Sequence, residues 1–138
     1  MAFIDQFDVV LLDMGDTFMF DLDNFSPDQD FFQTYRDVGG KTLSAGDLRR
    51  IMLAGFEQLS THYENPRLFE SFPRSIDVLQ AAEPGLALPD SEWSLLDRVF
   101  ARHECGAIPK SHADAVRELG RTHTLGLISN IWAPSATC

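Results

Sequence analysis

Val9-Val10-Leu11-Leu12-Asp13-Met14-Gly15-Asp16-Thr17 is the stretch that decides the fold. An unbroken apolar run leads straight into an aspartate, and a glycine-containing turn with a hydroxyl residue follows. Residues 7–12 read as a strand with two apolar faces, the pattern of a parallel strand covered by helices. Such a strand delivers its last side chain to the carboxyl edge of an open α/β sheet, where ligands bind in that class of fold. Leu125-Gly126-Leu127-Ile128-Ser129-Asn130 repeats the arrangement near the other end of the chain.

Between the two strands the periodicity is helical. Ser26-Pro27 is expected to open a helix with Phe31, Phe32, Tyr35 and Val38 on one face, closed by Gly39-Gly40. Ser44 is expected to cap the next, with Asp47 as a shortened capping box. Leu48, Ile51, Met52, Gly55, Phe56 and Leu59 follow at helical spacing, and Gly55 suggests a close helix contact. A short helical piece is expected over 66–71 and a helix from Ser75 to Ala82. Asp90 is expected to cap a helix that buries Trp93, Leu96, Val99 and Phe100. Ser111 is expected to cap a last helix that buries Ala115, Val116 and Leu119. A crossover between parallel strands needs only a single helix. The expected organisation is therefore residues 1–20 opening an α/β core, 21–106 an inserted helical bundle, and 107–138 returning to the core.

Composition bounds the function. The chain has 138 residues, 44% hydrophobic and 23% charged, which is globular rather than disordered. Lys+Arg number 11 against 21 Asp+Glu, a net charge of −10. That balance disfavours nucleic acid and anionic membrane surfaces as partners. It leaves small phosphate esters open, because a divalent cation can sit between two anions. The N-terminus lacks the basic and apolar regions of a signal peptide. No run reaches the roughly 20 apolar residues of a membrane span. Cys105 and Cys138 suggest no disulfide framework. A cytoplasmic protein is the expectation.

Asp13 is the first candidate for chemistry. A carboxylate ending an apolar strand needs hydrogen bonds or a cation. The turn after it can aim several N–H groups at one anion, and carboxylates can act as covalent nucleophiles. The alternative is an Asx-type turn. Ser129 ends the second strand in the same way and could donate to a phosphoryl oxygen, or simply cap the strand. Phe18 and Phe20 could line a substrate pocket or serve as packing. Asp21-Leu22-Asp23 lacks a preceding strand and reads as a solvated turn. The histidines show no zinc spacing, and His62 and His103 suit helix C-termini as partial positive charges.

These two segments resemble motifs I and II of the haloacid dehalogenase-like (HAD) hydrolase superfamily. Asp13 and Thr17 match the nucleophile and threonine of motif I. Ser129 and Asn130 match motif II, and the helical insertion is similar to an α-helical C1 cap. The resemblance implies a Rossmann-like core with an inserted cap, acting on a small phosphorylated metabolite through an aspartyl-phosphate. It implies Mg2+ held by Asp13 and the Gly15 carbonyl, Ser129 on a phosphoryl oxygen, and Thr17 and Asn130 near substrate. The family's phosphatases place a second aspartate where this chain has Gly15, whereas its dehalogenases do not, so a haloacid hydrolase stays open. Motifs III and IV follow motif II in the family, and eight residues follow Asn130 here. An incomplete and inactive part is therefore expected. Such a part would expose sheet edges and bind a second copy or a completing C-terminal fragment.

Overall fold

The computed structural model describes residues 3–17 and 19–128. It is a mixed α/β structure with a small parallel sheet and a set of helices. The described residues divide into two compact units, one formed by those up to 22 together with 106–128 and the other by 23–105.

The first unit holds β1 (Val9–Asp13) and β2 (Thr124–Ile128), paired in parallel from Val9 opposite Thr124 to Asp13 opposite Ile128. The start of the pair is secured from outside the strands. Thr124 N–H donates to the Asp8 carbonyl at 2.9 Å, and His123 Nε2 lies 3.1 Å from the Ile4 carbonyl. Gly126 gives Leu11 room, since an added Cβ would stand 2.7 Å from its Cδ2. The expected two-sided cover of β1 is not found. Val9 is 55% exposed, Leu11 59% and Ile128 58%, all on one face. An apolar run states that a strand can be covered on both faces. A two-stranded sheet does not supply the cover.

The helix of this unit runs from Lys110 to Leu119. Its N-cap is Pro109, which offers no side-chain cap, so Ser111 lies inside the helix. Ala115 is exposed and Val116 and Leu119 are only half-buried, against the expectation of a buried side. Asp114 pairs with Lys110 and, at 2.6 Å, with Arg117. Those exposed pairs contribute at most about 1 kcal/mol each.

The second unit is helical: α1 (Phe31–Asp37), α2 (Ala45–Glu64), α3 (Ser75–Ala82) and α4 (Asp90–Glu104), with a 3-10 turn at Pro66–Ser71. We label the Lys110–Leu119 helix α5. Ser26-Pro27 does not start α1. Asp30 does, its carboxylate accepting from Gln33 N–H at 2.9 Å. Ser44 caps α2 as expected, accepting from Asp47 N–H at 3.1 Å. Its hydroxyl in turn donates to Asp47, which holds that carboxyl below its usual range. Pro89, not Asp90, precedes α4, and Asp90 becomes its first residue. No described helix is long and apolar enough to cross a membrane.

The bundle core joins Phe31 and Tyr35 of α1, Leu48, Ile51, Met52 and Leu59 of α2, Val78 and Leu79 of α3, and Trp93, Leu96, Val99 and Phe100 of α4. Gly55 is the close approach that its helical context suggested. A Cβ there would meet Leu79 Cδ2 at 2.8 Å and Phe100 at 3.7 Å. Tyr35 is fully buried, and its hydroxyl is a junction. It donates to Glu92 of α4 and accepts from the N–H groups of Thr42 at 2.9 Å and Leu43 at 3.2 Å. The turn that makes this possible is Gly39-Gly40. Gly39 has φ +102, and a Cβ on Gly40 would overlap the Tyr35 ring.

Gly40→Ala is therefore expected to destabilise the bundle by about 1–3 kcal/mol, the usual cost of overpacking a filled core. Gly85→Ala, where a Cβ meets nothing, is expected to stay within about 0.5 kcal/mol of the parent. Urea unfolding of the two variants checks the pair. Equal midpoints would contradict the packing at Gly40.

Candidate functional site

The carboxyl edge of the β1–β2 pair is built by strand pairing. Because the strands are parallel and in register, Asp13 ends β1 directly beside Ile128, the last residue of β2. Asp13 is exposed, and its Oδ1 accepts from Met14 N–H at 2.7 Å. A charge in that position remains hydrated, so it does not carry the desolvation cost that burial would impose.

The turn after Asp13 folds back on itself. Met19 N–H donates to the Met14 carbonyl at 3.1 Å, and Asp16 N–H donates to the Met19 carbonyl at 2.9 Å, making a parallel bridge between Gly15 and Met19. Asp16 occupies the left-handed region with φ 53. A short polar side chain tolerates that conformation better than a branched one. The bridge uses the carbonyls of Met14 and Met19, not that of Gly15. Asp16 and Thr17 are both exposed. The turn thus carries Asp13, Gly15, Asp16 and Thr17 within one short hydrogen-bonded loop.

Phe20 leaves the loop by pairing with Ala107. Its N–H donates to the Ala107 carbonyl at 2.9 Å, and Ala107 N–H returns a bond at 2.7 Å. Gly106 is required beside it, since a Cβ there would strike the Phe20 carbonyl. The Phe20 ring lies 5.3 Å from the His112 ring, at 52°. Phe20 is half-buried and packs locally. His112 is a neighbour of this loop that the residue spacing does not reveal, because the ring contact joins segments far apart in sequence. Phe18, Ser129 and Asn130 lie outside the described residues, as does Trp132.

A magnesium ion can be tested against this donor set. Among the described residues no group of three His, Cys, Asp or Glu side chains gathers as a metal-binding cluster. Magnesium at phosphoryl sites commonly takes one or two carboxylates and completes its shell with water and substrate oxygens. One exposed carboxylate on Asp13 and the carbonyl of Gly15, left out of the bridge, fit that sparse requirement.

The remaining polar groups singled out from sequence have structural roles. Asp23 takes part in backbone pairing, its N–H donating to the Glu104 carbonyl at 3.1 Å, and burial raises its carboxyl above the usual range. His62 Nδ1 lies 2.9 Å from the Gln58 carbonyl in the last turn of α2. His103 sits in the last turn of α4, where burial lowers its pKa below the usual histidine value. Comparison with protein-family models, with curated proteins and with solved structures gives no match.

The left-handed Asp16 yields a check on the turn. Asp16→Val is expected to cost about 1–2 kcal/mol, the penalty for a side chain that tolerates this region poorly. Asp16→Gly is expected to match or exceed the parent's stability. The reverse ranking in thermal unfolding would contradict this backbone conformation.

Proposed function

We propose that the chain is a HAD-like hydrolase of the phosphatase type, acting on a small phosphorylated metabolite. In this reading the β1–β2 pair belongs to a Rossmann-like core and the helical unit is its cap. The observation that carries it is the parallel register that ends Asp13 beside Ile128, so that both candidate motifs leave the same sheet edge. The exposure of Asp13 also supports it, because a nucleophile must be reachable.

The proposed step is a displacement at phosphorus. An Asp13 carboxylate oxygen forms a bond to phosphorus, the bond to the leaving oxygen breaks, and that oxygen keeps the electron pair. Water then hydrolyses the aspartyl-phosphate. Asp13 and the Gly15 carbonyl would hold magnesium, which when bound offsets charge on the transferring group. Thr17 and Ser129 would contact phosphoryl oxygens, Asn130 would lie beside them, and Phe18 and Phe20 would border the substrate. Gly15 cannot protonate an alcohol leaving group, so phosphate esters are expected to turn over little. An acyl phosphate needs no such proton.

Acetyl phosphate is therefore the probe. With magnesium it is expected to leave a phosphoryl adduct on Asp13, detected by intact mass and peptide mapping. Asp13→Asn should abolish the adduct, whereas Asp16→Asn should retain it. An adduct that survives Asp13→Asn would overturn the assignment. The glycine at the acid position also favours a haloacid hydrolase, in which Asp13 attacks carbon and halide departs without a proton. Chloride release from a 2-chloro acid without metal, in place of phosphorylation, would select that reading.

The exposed Val9, Leu11 and Ile128 favour a third reading, a non-catalytic module that binds a second copy or a completing fragment. It predicts mass that rises with concentration in light scattering and falls in Leu11→Lys. A monomer at every concentration would eliminate self-association.

A further inference from the structure

His103 is a buried imidazole that the proposed chemistry does not use. It is 8% exposed, and its ring lies 4.5 Å from the Phe31 ring and 6.2 Å from the Phe25 ring. Both ring nitrogens are engaged. Nδ1 lies 3.1 Å from the Asn24 carbonyl and Nε2 lies 2.9 Å from Thr34 Oγ1. The carbonyl can only accept, so Nδ1 carries the proton. In the neutral ring Nε2 is then an acceptor, and the Thr34 hydroxyl donates to it. The backbone closes the same contact from the other side, because Asn24 N–H donates to the His103 carbonyl at 2.8 Å. One residue of α4 thus grips Asn24 through both side chain and main chain, and grips α1 through Thr34.

We propose that His103 is an acid-sensitive latch holding the segment 23–34 against α4. The neutral ring meets every requirement of its surroundings. A protonated ring puts a charge between two phenylalanine rings and forces Nε2 to donate. Thr34 Oγ1 must then accept from the ring and turn its own hydroxyl to the alternative acceptor, the Asp30 carbonyl at 3.3 Å. The groups around the ring do not remove that cost. Desolvation is the largest influence and holds the imidazole below its usual range, while the Asn24 carbonyl and Asp30, the N-cap of α1, favour the cation. In α4, Glu104 follows His103 and is buried, while Arg102 is exposed. Asp23, in the incoming segment, has its carboxyl pushed up by desolvation.

The sign of the effect follows from linkage. With its folded pKa below the unfolded value, His103 binds more protons when released. The latch is complete above about pH 6.5, the ordinary histidine pKa, and weakens as pH falls through the folded value. The polar contact joins segment 23–34 to the end of α4, and Phe25 and Phe31 share one core with Leu48, Ile51, Met52 and Leu79, Phe25 also stacking on Phe56 of α2 at 4.4 Å. Loosening uncovers Phe25 and Phe31, which are otherwise buried.

Amide hydrogen exchange of the whole chain between pH 7.5 and 5, corrected for intrinsic rates, tests this. Protection at Asp23, Asn24 and Phe25 is expected to fall about tenfold or more while the α2 amides hold theirs. His103→Gln, which keeps a neutral donor and acceptor, is expected to abolish the pH dependence. Uniform loss of protection, or an unchanged pH dependence in His103→Gln, would overturn the latch. Should that variant fail to fold, NMR titration of the parent decides. A His103 midpoint below 6.5 that coincides with the loss of protection supports the latch, and a midpoint at or above it refutes it.

Discussion

The helical unit depends on one hydroxyl. Tyr35 closes the turn after α1 by accepting two backbone N–H groups, and it carries that turn to α4 through Glu92. A carboxylate at that depth needs a donor, and amides at that depth need an acceptor. The phenol supplies both functions from a single atom. The glycines that follow α1 exist to let the chain reach this atom.

The sheet unit has no comparable centre. Its order comes from main-chain pairing: five matched residues of β1 and β2, the bridge between Gly15 and Met19, and the exchange between Phe20 and Ala107. Side chains contribute little cover on the Val9–Leu11 face. A filled core buries its side chains, whereas an edge held by backbone bonds leaves side chains such as Asp13 and Thr17 exposed to solvent.

The features legible in sequence are those decided over a few residues. Ser44 announces α2 because its hydroxyl meets an amide three residues on. Gly55 announces a close contact because nothing else justifies a glycine in mid-helix. Asp13 announces the end of β1 because the apolar run stops there. Features decided at a distance are not legible. Tyr35 and Glu92 are 57 residues apart, and no local pattern pairs them. Proline takes the capping place before α4 and α5, so Asp90, next to one, and Ser111, two residues after the other, mislead. The apolar run of β1 records an affinity for cover, and its exposure is a property of the neighbours present.

The backbone pairing at the ends of the helical excursion has a consequence for how such a chain can change. Within the sheet unit, Phe20 is bonded to Ala107. Within the helical unit, Asp23 and Asn24 are bonded to Glu104 and His103. Each body therefore has its own two break points side by side. The entropy of closing a long loop is already met by contacts inside each body, so the length and content of the excursion matter little to the strands. Helices could be lengthened, replaced or shed between these paired positions over generations while the parallel register at Asp13 stayed where it is.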